Sequence, residues 1–175
     1  QLHVDSLRLD VANGRVFGSL FWDGTELRTN LSVEEVRLKE LTRYFPDYPA
    51  DGVFQGNVVV SGPLTQLKGR LVGDFTDFTW LGRSLGSVAG EVVYDDSVLK
   101  LSRIIVSSLA GDLIVKGKMG LAAEVPLDLE ISGPEIALEE FAPWFPGAEF
   151  MNIRGDGKVA IQVTGTTVDP EYQGK

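Results

Sequence analysis

Cysteine is absent from all 175 positions. That excludes disulfides, thiolate metal sites and cysteine nucleophiles, and it leaves the redox compartment open. Histidine occurs once, as His3, so neither a histidine-centred triad nor a zinc site has the partners it needs. Basic charge is also short. Sixteen Lys and Arg stand against 25 Asp and Glu, for a net charge of −9, and a chain this acidic repels phosphate backbones, so nucleic acid is excluded as a partner. No apolar run approaches the roughly 18 residues that span a bilayer, and neither a secretory signal nor a phosphate-binding glycine loop is visible. With 43% hydrophobic residues the chain can still bury a core, so it is not a disordered segment.

What is abundant is period two. In "PLDLEIS" Leu127, Leu129 and Ile131 fall on one face, Asp128 and Glu130 on the other, the alternation of a strand with one apolar face. "LRLDV" repeats it with Leu7, Leu9 and Val11, and "RVFGSLFW" with Val16, Gly18, Leu20 and Trp22. Further strands are expected at 25–32, 53–61, 67–76, 85–95, 98–107, 111–119 and 157–165. Asn13-Gly14, Asp23-Gly24, "SGP" at 61–63 and Asp95-Asp96 punctuate them; Asn, Asp and Gly tolerate positive φ, and such turns join antiparallel neighbours. The expected architecture is an antiparallel meander over most of the chain. Gly86 and Gly90 interrupt one strand on the face of Val88 and Val92, marking either sharp curvature or close backbone approach, or a bulge in an ordinary sheet.

Helix is expected in two short places, and they resemble each other. "VRLKELTRYFP" (36–46) matches "IALEEFAPWFP" (136–146) at seven positions, 100 residues apart. In the first, Leu38, Leu41, Tyr44 and Phe45 fall within about 120° of arc, and Pro46 ends the helix; Pro143 limits the second to a turn or two. "GNVVVSGPLTQLKG" follows the first and "GKVAIQVTGTTVDPEYQG" the second. Residues 36–71 thus resemble 136–175, an internal repeat of about 100 residues. The chain starts within one alternating segment and stops within another, so residues 1–175 are expected to be a single fragment of a longer repeat protein.

A helix ending in "FP", a glycine-led strand, "SGPL" or "TGTTVDP", and a further strand opened by glycine resemble the TamB family, the inner-membrane subunits of a bacterial translocation and assembly module, and more broadly the AsmA-like proteins. The resemblance implies an all-β fold: an elongated, curled antiparallel sheet forming an open apolar groove, the β-taco, here with two short helices. It implies periplasmic localisation with an inner-membrane anchor outside this fragment, phospholipid acyl chains as cargo between inner and outer membranes, an outer-membrane partner of the TamA type, and no catalytic residues or cofactors. The helices are too few to cover a sheet of about ten strands, so curling is the economical way to shelter its apolar face.

The expected groove lining is Leu7, Leu9, Val16, Leu20, Val58, Val60, Leu113, Val115, Leu127, Leu129, Ile131, Ile161 and Val163. The acidic pairs Glu34-Glu35, Asp95-Asp96 and Glu139-Glu140 read as solvated turns and helix starts, since neighbours in a strand face opposite ways; no metal site is expected. "RGDG" (154–157) reads as a chance turn, and "NLS" (30–32) as an unused sequon within a strand. Trp22, Trp80 and Trp144 are expected in the core or docking a helix, ahead of a role at a headgroup rim. Two other functions stay open: an assembly module that pairs an open strand edge with unfolded outer-membrane proteins, and a carbohydrate-active β enzyme, which would need paired acids in a cleft.

Overall fold

The computed structural model describes residues 1–42, 50–80, 82–120, 126–141, 154–166 and 169–174. The strands are β1 (Leu2–Val11), β2 (Gly14–Trp22), β3 (Glu26–Arg37), β4 (Ala50–Pro63), β5 (Lys68–Trp80), β6 (Arg83–Asp95), β7 (Val98–Ser108), β8 (Gly111–Gly120), β9 (Asp128–Ala137), β10 (Asp156–Gly165) and β11 (Pro170–Gly174). They form one antiparallel sheet in chain order, β1 beside β2 through to β11. The two end strands do not pair, so the sheet is not closed. Ten interstrand spacings give it a width of about 48 Å. Helix α1 (Leu38–Thr42) follows β3 and α2 (Leu138–Phe141) follows β9. The expected continuation of the first helix to Phe45, and Pro46, Pro143 and Trp144, lie outside the described residues.

Two turns differ from expectation. The β1–β2 turn is centred on Ala12 and Asn13, both at positive φ, with Gly14 as the first residue of β2. Asn-Gly therefore straddles the end of the turn. The reason is packing: a Cβ on Gly14 would collide with the backbone carbonyls of Glu34 and Glu35 on β3. Asp23-Gly24 makes a three-residue loop rather than a two-residue one. The Asp23 carboxylate accepts hydrogen bonds from the backbone N–H groups of Thr25 and Glu26 and from the Thr25 hydroxyl, each at 2.8 Å. These bonds hold the acid well below its usual range, at a pKa of about 2, the Glu26 N–H contributing most.

Strict alternation fails at defined places, and each failure is a bulge. Val33 and Val36 are three residues apart, an odd step that in a regular strand would put them on opposite faces. An irregularity between them sets them against Gly56 and Phe54, two residues apart on β4, with Glu35 at φ 53°. The same device recurs in β9, where Gly133 and Ile136 oppose Val159 and Gly157. It places Val36 (4% exposed) and Ile136 (0%) in the two buried clusters. Beyond each bulge a backbone bond ties the strand to the turn that leads into the neighbouring strand: Arg37 N–H to Ala12 C=O at 3.1 Å, Ala137 N–H to Ala110 C=O at 2.7 Å. Helix α1 starts at Leu38, where the apolar arc is expected to start, and Val36 and Arg37 complete β3.

Ile136→Ala is expected to cost about 3 kcal/mol in urea unfolding, the usual range for emptying a buried aliphatic site. Asp23→Ala should lower stability at neutral pH. Because folding depresses the acid's pKa, its contribution is full above about pH 4 and lost as pH falls toward 2, so wild type and variant should converge over that window in acid titrations.

Candidate functional site

Register places the apolar residues in rows that run across the strands. Nearest the helices, Val36, Phe54, Phe75, Val88, Val106 and Leu113 are successive partners on β3–β8. The second row runs Leu9, Val16, Val33, Gly56, Gly73, Gly90, Ile104, Val115, Ile131 and Ile161. The third crosses all eleven strands: Leu7, Gly18, Leu31, Val58, Leu71, Val92, Leu101, Gly117, Leu129, Val163 and Tyr172. The fourth holds Val4, Leu20, Thr29, Val60, Gly69, Tyr94, Leu99 and Met119. Leu127, two residues before Leu129, keeps the same side. All thirteen residues singled out from the sequence therefore share one face. Across these rows no paired position carries a charge; the polar side chains are Thr29, Tyr94 and Tyr172.

Burial along this face is uneven. The clusters around Val33, Val36 and Phe54 and around Val106, Leu113 and Ile136 lie toward the helix end. Leu7, Leu20, Val58, Val60, Val115, Leu129, Ile131 and Ile161 are half-buried, Leu9 is exposed, and Leu113, Leu127 and Val163 are buried. All described strands belong to a single sheet, so among the described residues no second sheet covers the face. The accessible surface, 11421 Å², exceeds the about 8,400 Å² typical of a compact monomer of this mass.

At the centre of the face, Gly56, Gly73 and Gly90 are direct cross-strand partners. The neighbouring backbone approaches closely at each: a Cβ on Gly73 would strike the Gln55 carbonyl and come within 2.8 Å of the Phe54 ring. Phe54 lies over this strip and stacks on Phe75 with centroids 4.7 Å apart. Gly90 abuts the Arg103 carbonyl, and Gly86 that of Ser107, so both glycines that interrupt β6 mark close backbone approach; Gly86 also stands at an irregularity, where β6 steps two residues to Ser84 while β5 steps one, from Phe78 to Thr79.

The opposite face carries the charge. Arg70 donates to Glu91 at 2.7 Å, and that bond lowers the Glu91 pKa; Arg15 meets Glu34 at 3.0 Å, and Lys68 meets Asp95 at 3.2 Å. These pairs are exposed and each contributes little to stability. Two phenylalanines share this face beside arginines: Arg8 and Arg15 lie 6.0 and 5.7 Å from the Phe17 ring centre, and Arg28 lies 5.9 Å from that of Phe21. An open recess whose polar lining is Lys116, Asp128, Glu130, Gln162 and Gln173 also lies here, and of the thirteen apolar residues Ile161 borders it.

Two of the acidic pairs occupy the expected turn and helix start, and Glu34-Glu35 is a correction, lying within a strand. Glu34-Glu35 sits in the β3 bulge, Asp95-Asp96 enters the β6–β7 turn, and Glu139-Glu140 opens α2. The Glu139 carboxyl is held below its ordinary value by its own N–H and by that of Gly155. His3 is exposed, 2.9 Å from Asp5. Among the described residues no polar or charged side chain is buried and no acid–histidine group is arranged to hold a metal. No described helix is long and apolar enough to cross a membrane. The tryptophans are a correction: Trp22 and Trp80 end their strands and are each 39% exposed, so neither is a core residue. An indole at a strand end keeps one edge in water, and nothing in the alternation pattern marks where a strand stops. No protein-family model, curated protein or solved structure matches this chain.

The absence of native cysteine allows a direct check of the burial gradient. Single substitutions Leu20→Cys and Val58→Cys should react readily with a small maleimide under native conditions. Leu113→Cys and Ile136→Cys should react only after denaturant is added.

Proposed function

We propose that this chain is a segment of a TamB-like, AsmA-like envelope protein whose apolar face curls into an open groove sheltering phospholipid acyl chains between the inner and outer membranes. The supporting observation is the uncharged set of rows, continuous across the strands and without a second sheet over it. Sheltering hydrocarbon is worth about 0.8 kcal/mol per CH₂. A sixteen-carbon chain would therefore lose roughly 13 kcal/mol on entering water, and a matching groove restores most of that. Movement from bilayer to groove is then nearly isoenergetic and needs no nucleotide site.

The two bulge-and-helix devices, at Val36 and Ile136, mark successive units of a repeating conduit in this proposal. Its setting, a periplasmic stretch held by an inner-membrane anchor elsewhere in a longer chain and meeting a TamA-type partner, rests on the family resemblance. A second reading draws on β1, which has ten residues and a free edge. An unfolded outer-membrane strand could pair there by strand addition, and such binding would persist with detergent filling the groove.

Leu129→Asp is expected to abolish copurification of lipid while the far-ultraviolet strand spectrum is retained. A photoreactive residue at Leu129 should give lipid adducts and one at Glu130 none. Adducts confined to Glu130 would reverse the assignment of inside and outside.

A further inference from the structure

The apolar rows contain two hydroxyl side chains away from the sheet edge, and both stand in the same row. Thr29 on β3 and Tyr94 on β6 are linked in register through Val60 and Gly69. Three interstrand spacings put them about 14 Å apart. The row is the one farthest from the helices of the four, and its paired side chains are half-buried. Each hydroxyl has capacity to spare. Thr29 Oγ1 accepts the Val60 N–H at 3.2 Å, which leaves its own proton to donate. Tyr94 makes no hydrogen bond to a described residue, and its partner across the ladder, Gly69, has no side chain to crowd it. Trp22, exposed at the end of β2, stands one step farther along its strand than Leu20 of this row. Indole and phenol rings favour places where one side is apolar and the other wet.

Resting on the groove reading above, we infer that Thr29 and Tyr94 form a hydroxyl rail that recognises the ester region of an acyl lipid, fixing the boundary between its tails and its polar end. The ligand class is thereby narrowed to acyl esters, as against plain hydrocarbon. An ester carbonyl accepts a hydrogen bond but carries no charge, which suits a face bearing hydroxyls and no ionic group. A hydroxyl on an otherwise apolar surface discriminates because the ligand that lacks the matching acceptor leaves it unpaired.

The test uses the 175-residue chain loaded from cyclodextrin with methyl palmitate or with hexadecane. Tyr94→Phe removes one oxygen and Thr29→Val another, while Thr29→Ser keeps the hydroxyl. One ester reaches only one of two hydroxyls about 14 Å apart, so each single variant is expected to weaken methyl palmitate binding about twofold and the double variant roughly five- to tenfold, with hexadecane binding kept within a factor of two or so and Thr29→Ser in the Tyr94→Phe background restoring the ester preference. Equal loss for both ligands, or no loss for either, overturns the rail while leaving the groove intact. Failure of the unaltered chain to take up either ligand overturns both.

Discussion

Everything in this fold depends on register. A strand shows one face to each side in strict alternation, so a slip of one residue against its neighbour would turn its apolar set outward. Eleven strands in chain order multiply that demand, because each is indexed only by the strands beside it. Short turns supply part of the indexing. The rest comes from the bulges, which absorb an odd step and return the chain to the correct side. Val33 to Val36 and Gly133 to Ile136 are the clearest cases, and Val4 to Leu7, Phe75 to Phe78 and Leu101 to Ile104 follow the same rule. Without them the buried clusters could not form at the helix end.

Glycine serves the same constraint from the other direction. Gly14, Gly73 and Gly90 sit where the next strand's carbonyl leaves no room for a Cβ. The space above Gly56 and Gly73 is filled by Phe54 from two residues away. An aromatic ring laid over a glycine restores the contact the glycine lacks, and at the centre of the sheet it does so for two strands at once.

The strands were legible because alternation is local: Leu127, Leu129 and Ile131 need no knowledge of their partners to be put on one side. The expected ranges missed mainly at strand ends, where β3 runs on to Arg37 and β4 begins at Ala50. The bulges explain the first miss. The Glu34-Glu35 pair within "VEEVR" reads as a solvated turn or helix start, yet a three-residue step between apolar positions, recurring in five strands, is itself the signal of a bulge. Thirteen lining residues could be placed on one face from pattern alone. Their division into packed and half-open halves could not, because burial depends on which rows approach the helix-end clusters, a long-range property. The exposure of Trp22 and Trp80 escaped for the same reason.

A charge-free face and a charge-bearing face on one sheet pose a physical problem that the described elements leave standing. Exposed ion pairs on the polar side are self-sufficient in water. The apolar side is not: its third and fourth rows combine strong β-formers with no charge, the composition that invites association. Cover by a packed second layer would have needed a comparable set of apolar strands, and the chain has placed its described strands in the one sheet. In the proposed reading a ligand of hydrocarbon character is the cover, since it would satisfy the face at any position along a row and would require no directional contact. The placement of Thr29 and Tyr94 in the outermost row of four then has a consistent logic. Hydroxyls there sit where such a cover would change from tail to polar link, and in the inner rows the one hydroxyl, that of Tyr172, stands on the edge strand.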